Sequence, residues 1–300
     1  MSASLESKAI KSSVRNAKRD NQRAEAEAIF NELPPPQQRV LECTREKGAS
    51  AWVSALPVDE HGFYLHKGDF RDALCLRYGW QITNLPLHCA CGEPLSVDHA
   101  MCCHKGGFPT LRHNEIRDMS ANLLREVCPN TCTEPSLQPL NSETFQLRSA
   151  NTDNEAQVDI RAEGFWTSAQ VAFFDIRVFH PSAPSYRRKE LSAVYRLHEK
   201  AKKREYGARI REVERGAFTP LVLSTTGGMA RECTVFYKRL ADRLAYKRKT
   251  NYSLVMTWLR CRISFALLRS AIRALRGSRS STTALAPVDI PLVTSESFIH

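Results

Sequence analysis

The sequence predicts an α/β fold, with one core whose elements run α, β, β, β, α, β, a small metal-binding knuckle ahead of it and basic helices behind it. Three observations carry this expectation. Two segments repeat apolar residues at helical spacing, four short apolar runs alternate with them in that order, and a cysteine and histidine cluster precedes the first helix. A chain of 300 residues, 42% hydrophobic, suffices for one such core and a small satellite.

Residues 1–36 read as a charged helical tail, mixed in sign and rich in Ala and Glu, stopped by Pro34, Pro35 and Pro36. Residues 37–87 carry sparse, irregular apolar positions (Trp52, Phe63, Tyr64, Phe70, Leu76, Trp80) and read as a linker or docking region. Residues 88–108 hold the knuckle, and residues 109–230 the core. In the core, Ile116, Met119, Leu123 and Val127 mark an amphipathic helix over 112–127. Strands are expected near 131–137, 156–161 and 171–179, then a long helix over about 189–214, then a strand over 218–224 closed by Gly227 and Gly228. Residues 231–278 form a basic helical extension, and the Ser, Thr and Gly that follow open a disordered tail, 279–300.

Charge and cysteines narrow the function. The formal net charge is +11, and between Arg231 and Arg276 twelve Lys or Arg stand against Glu232 and Asp242 alone, which favours an anionic partner such as nucleic acid. No apolar signal segment follows Met1, and arginines interrupt the apolar stretch 258–275. The expected setting is therefore reducing, nuclear or cytoplasmic, neither secreted nor in a membrane. There, clustered cysteines read as metal ligands. Cys89-x-Cys91, His99 and Cys103 give four ligands within fifteen positions, in a segment too short and polar to fold around its own core, so a structural Zn²⁺ would supply the folding energy. Cys102, His88 and His104 leave the exact set open, and free thiols in a loop are the plain alternative.

Asp159 and Asp175 each sit in a strand-like apolar run, where a carboxylate needs a partner or loses its charge. Two such acids on neighbouring strands repel unless a divalent cation lies between them, and such a cation suits phosphodiester hydrolysis. Pairing with Arg161 and Arg177 across the strands is the alternative. Lys202 falls in the apolar stripe of Leu191, Tyr195, Tyr206 and Val213, whereas Lys200 and Lys203 point away. It is either a lysine aimed at a phosphate or one snorkelling along the core. On the late helix, Arg262, Arg269, Arg273 and Arg276 share a face beside an apolar one, suited to phosphate contact, and Lys247-Arg248-Lys249 is a short basic run of the nuclear-import kind.

These residues together carry a resemblance. Cys89-Ala90-Cys91-Gly92 through His99 and Cys103, then Arg112-His113-Asn114-Glu115, Val158-Asp159, Asp175 and Lys202-x-x-x-Tyr206 resemble the C-terminal region of non-LTR retrotransposon proteins that carry a restriction-like endonuclease. Those proteins are similar to the PD-(D/E)XK nucleases. The resemblance implies a restriction-endonuclease-like αβββαβ core and a Mg²⁺-dependent (or Mn²⁺-dependent) nick in target DNA that primes reverse transcription. Asp159 and Asp175 would be metal ligands with Glu115 assisting, Lys202 would engage the phosphate with Tyr206 in support, and Arg112 and His113 would contact DNA or brace the site. It also implies element RNA as a partner and a reverse transcriptase on a separate chain, since no such motif is present. Val158 stands where that family has proline, and Arg177 fills the slot usually held by lysine. A zinc-knuckle nucleic-acid-binding relic without catalysis is the competing expectation.

Overall fold

A computed structural model describes residues 2–137 and 157–277, with side chains from residue 12 onward. The expected strand start at Ala156 and the tail 279–300 lie outside the described residues. The order begins with helices α1 (Ser2–Glu32), α2 (Pro35–Arg45), α3 (Ala51–Ser54), α4 (Lys67–Tyr78), α5 (Val97–Cys102) and α6 (Phe108–Val127). It continues with strands β1 (Thr131–Thr133), β2 (Ile160–Glu163) and β3 (Val171–Phe179), then α7 (Leu191–Glu212), β4 (Ala217–Ser224), α8 (Arg231–Arg248) and α9 (Tyr252–Arg276). Among the described residues the order from α6 to β4 is therefore α, β, β, β, α, β, as the periodicity indicates.

The four strands form one mixed sheet in the order β1-β2-β3-β4, antiparallel up to β3 and parallel between β3 and β4. A parallel neighbour requires a crossover, and α7 supplies it. Strand β3 is central and buried on both faces, hence its nearly continuous apolar run. Ala172, Phe174 and Ile176 join the main core with residues of α6, α8 and α9, while Phe173 on the other face packs with Tyr206 and Ile210 of α7. Asp175 lies on the α7 face because strand side chains alternate.

The structure corrects one expectation and narrows another. Strand β2 starts at Ile160, so Asp159 lies at a bend before the strand rather than inside it. The cause is local. Pairing of β1 with β2 stops at Thr133 and Ile160, Glu134 takes a left-handed φ of 51°, and its N–H donates to the Asp159 carbonyl before a lone bridge joins Ser136 and Gln157. Residues 37–87 are also not a bare linker. Trp52, Phe63 and Ala73 form an apolar cluster with Cys261, Phe265, Leu268 and Ile272 of α9. The apolar positions look sparse in the sequence because α9, two hundred residues away, supplies the other half.

Gly228, after β4, has a simple steric reason. A Cβ there would sit 2.0 Å from Glu46 Oε2 and 2.2 Å from the Tyr195 hydroxyl, so glycine lets α2 and α7 meet over the end of β4.

Candidate metal centre and carboxylate cluster

The knuckle is built from its loop upward. Gly92 turns the chain at a φ of 94°, its N–H reaches the Cys89 carbonyl, and the Cys89 N–H returns to Glu93. The Ser96 hydroxyl accepts the His99 N–H at the start of α5, which aims His99 and Cys103 back at the turn. The ligand atoms of Cys89, Cys91, His99 and Cys103 all lie within 4.8 Å of one another. Cys89 Sγ is 3.9 Å from Cys103 Sγ, and Cys91 Sγ is 3.3 Å from His99 Nε2. Tetrahedral zinc with Zn–S bonds of about 2.3 Å spaces its ligand atoms by similar amounts, so this set fits a metal such as zinc. Burial raises the Cys89 thiol, but the Cys91 N–H and the neighbouring ligands outweigh it and draw it down to about 6, toward the metal-binding thiolate. Cys128 instead packs in the main core beside Arg243, and Cys132 is exposed.

The knuckle is riveted to the core at two points. Arg112 on α6 is buried and donates to the Met101 carbonyl at 3.0 Å. Burial pulls its pKa down to about 10. Arg112 is thus a brace, and its expected role at DNA does not survive 3% exposure. At the far end of β3, His180 Nε2 lies 2.9 Å from Asp98 Oδ1 and His180 Nδ1 lies 2.9 Å from the Thr225 hydroxyl, while Arg187 donates to Asp98 Oδ2.

The second site lies where the β2–β3 ladder begins. Ile160 pairs with Phe174, so one step earlier Asp159 stands opposite Asp175. Asp159 Oδ2 accepts the Ile176 N–H at 2.5 Å, and Asp159 Oδ1 is 2.8 Å from His113 Nε2 on α6. Asp175 is 4% exposed. Its Oδ2 lies 3.1 Å from Lys202 Nζ, close enough for an ion pair but without an aligned hydrogen bond. Burial, and then the charge of Asp159, push the Asp175 carboxyl up to about 7 against the pull of Lys202. For Lys202, burial works against the charge, and Asp175 and Glu205 more than offset it, so its pKa rises. Its ammonium is 3.3 Å from Glu205 Oε2 and 5.1 Å from the centre of the Tyr206 ring.

The structure thus brings together Asp159, Asp175, Lys202, Tyr206 and His113, with three corrections to the expected set. Glu115 is two residues from His113 on α6 and so faces elsewhere. It lies 3.5 Å from Arg273, and burial raises its pKa. It is no third carboxylate for Asp159 and Asp175. The four arginines of α9 are turned inward: Arg262 stacks 5.0 Å over Trp258, Arg269 donates to the Gly62 and Tyr64 carbonyls, and Arg273 meets Glu115. Arg276 donates to both oxygens of Asp72 and to the Thr83 and Asn84 carbonyls. Arg269 and Arg276 hold the N-terminal region to α9, Arg273 ties α9 to α6, and Arg262 lies on a ring of its own helix, so their contacts are within the fold. The third correction is an omission. His198, one turn before Lys202, is buried, stacks on Phe179 with ring centres 4.8 Å apart, and leaves Nε2 without a partner. Burial, Arg177 and Lys202 lower its pKa to about 4. Its spacing of four from Lys202 was the available signal.

No protein-family model and no curated protein matches the chain. Among the described residues no helix is long and apolar enough to cross a membrane.

Proposed function

We propose that the chain is a metal-dependent DNA endonuclease of the restriction-like kind found in non-LTR retrotransposons, nicking one strand of target DNA. The observation that carries this reading is the facing pair Asp159 and Asp175, the latter buried with an oxygen lacking an aligned donor, and Lys202 3.1 Å away. Facing carboxylates repel, and the raised Asp175 pKa records that cost together with burial. The donor set suits Mg²⁺ or Mn²⁺, both of which favour carboxylate oxygens. A divalent cation bound there would neutralise phosphate charge and make an attacking water more acidic.

The remaining work falls to side chains. His113 and the Ile176 N–H fix both oxygens of Asp159 and so set the angle at which it faces Asp175. Lys202 would hold a non-bridging phosphate oxygen and stabilise the charge that develops as the entering water oxygen bonds to phosphorus and the P–O bond to the leaving oxygen breaks. The Tyr206 ring lies against its ammonium and keeps it in place. The PD-(D/E)XK assignment, the retrotransposon origin, target-primed reverse transcription and partnership with element RNA and a separate reverse transcriptase belong to this same proposal, and they rest on the motif resemblance. Structural Zn²⁺ in the knuckle belongs to it as well.

The test is nicking of supercoiled plasmid by the full chain with Mg²⁺, beside Asp175→Ala. Nicking that depends on Asp175 supports the reading, and nicking that survives the substitution sinks it. One observation favours a second reading, a binding module without catalysis: Glu115 is committed to Arg273, and both oxygens of Asp159 already hold protein donors. DNA binding without any nicking by the parent chain selects it.

A further inference from the structure

The C-terminal cap of α4 builds an exposed pair of aromatic rings. Gly79 adopts a left-handed φ of 67° and the Trp80 N–H returns to the Cys75 carbonyl, which folds Trp80 back over Tyr78. The two rings stack with centres 4.8 Å apart and planes inclined by 24°, yet Tyr78 remains 49% and Trp80 59% exposed. A stack of this size left open to water is the kind of surface that serves a partner.

A cavity of about 270 Å³ lies next to it, lined by Trp80 and Arg77 together with Trp52, Leu76, Met101 and Leu268. An apolar cavity of about 150 Å³ holds one benzene ring, so the space here suits one nucleobase and not a run of them. Arg77 sits over the Tyr78 ring at 5.6 Å, and its Nε and Nη1 are buried without an acceptor among the described residues. An occupant that suits this lining would offer a flat, largely apolar ring to the cavity and an anionic oxygen to the guanidinium of Arg77. Asp98, the acid on this wall, is already paired with His180 and Arg187 and does not oppose an anion.

We infer that Trp80, Arg77 and this cavity bind an unpaired nucleotide of single-stranded DNA, with the base stacked on Trp80 at the cavity, the phosphate on Arg77, and Tyr78 backing the Trp80 ring. Flat faces common to all bases and a phosphate on every residue meet both requirements at once. The net charge of +11 gathers such a strand from solution. The inference goes beyond the nuclease reading and does not depend on it, because binding needs none of Asp159, Asp175 or Lys202.

The experiment uses the full chain carrying Asp175→Ala, without added Mg²⁺, and follows the fluorescence anisotropy of a labelled oligothymidylate of about 12 nucleotides. The same strand with abasic sites and a duplex of equal length are the competitors. The expected result is that the intact strand binds about tenfold or more tightly than the abasic one, and that Trp80→Ala abolishes this difference while Trp80→Phe keeps most of it. Arg77→Gln weakens both strands and lowers the salt dependence by about one phosphate contact. Circular dichroism and melting confirm that each variant is folded, which the exposure of Trp80 favours. Equal binding of intact and abasic strands, preference for the duplex, or unchanged binding by folded Trp80→Ala overturns the inference. Failure of plasmid nicking leaves this measurement unaffected, so the two readings fail separately.

Discussion

Asp175 is the residue on which most of the proposed chemistry turns, and its environment makes it sensitive to pH. The carboxyl titrates near 4 in the unfolded chain and near 7 in the metal-free fold, so the folded state binds the extra proton. Its contribution is fully present below the unfolded pKa and is lost as pH rises through about 7. Asp175→Asn keeps the shape without the charge, and it is expected to melt about 3 °C or more above the parent at pH 8 and close to it at pH 4. Equal melting shifts at both values would contradict this. Glu46, buried and raised to about 7, titrates in the same direction in both proteins and cancels in the difference. Lys202→Ala should slow nicking by about a hundredfold or more, the usual cost of losing one preorganised charge stabiliser, with the fold intact by circular dichroism. At this scale the sequence is a good guide where one period decides: Lys202 was legible from its place in the α7 stripe. Glu115 was not, because motif spacing does not tell which side of α6 meets the sheet. His198 was hidden by the same apolar stripe that revealed Lys202.

At the scale of elements, α6 and α7 were legible from one clear period and β3 from its long apolar run, whereas β1 and β2 were legible in position but not in extent. Strand β2 has four residues, and its start depends on the bend at Asp159 that Glu134 enforces from β1, a contact between distant segments. The knuckle lies between these cases: ligand spacing located the cluster but left Cys102, His88 and His104 open, and the fold gathers Cys89, Cys91, His99 and Cys103. Chelation is expected to release about one zinc per chain and to open the segment between Cys89 and Cys103 to protease, and full protection without metal would rule out that role. The arginines of α9 show what a helical wheel omits. It gave them a shared face, but the partners that claim that face, Asp72, Glu115 and the carbonyls of Gly62 and Tyr64, lie far away in sequence. Arg276→Ala should therefore destabilise the protein by about 2 kcal/mol through loss of its bonds to Asp72 and the Thr83 and Asn84 carbonyls, with little change in DNA affinity. A large loss of affinity at unchanged melting temperature would restore the phosphate-contact role.

At the scale of the molecule, α9 runs through everything. Its residues from Val255 to Leu267 share the main core with the sheet, and those from Cys261 to Ile272 share a second cluster with α3 and α4. Residues 109–230, although they contain all four described strands, lack α8 and α9, two of the three helices packed on one face of the sheet. Expressed alone they are expected to show no cooperative melt, whereas the stretch from α2 to α9 should melt as one unit. A cooperative transition in the shorter piece would show that the sheet needs neither α8 nor α9. The excess positive charge also moves, because the α9 arginines are occupied at home. Exposed cations stand instead on α7 and α8, among them Lys200, Arg204 and Lys238.

Strand β3 has a last consequence. At its middle Asp175 faces Asp159, and five residues on, just past its end, His180 is clasped by Asp98 of the knuckle. A strand does not stretch, so the span from carboxylates to knuckle is set at about 17 Å. Nucleotides along a B-form strand rise by about 3.4 Å each, so for DNA lying along β3 in the proposed nuclease this span would correspond to about five nucleotides. A nuclease so built would cut at a fixed distance from wherever its knuckle grips, whatever the sequence in between.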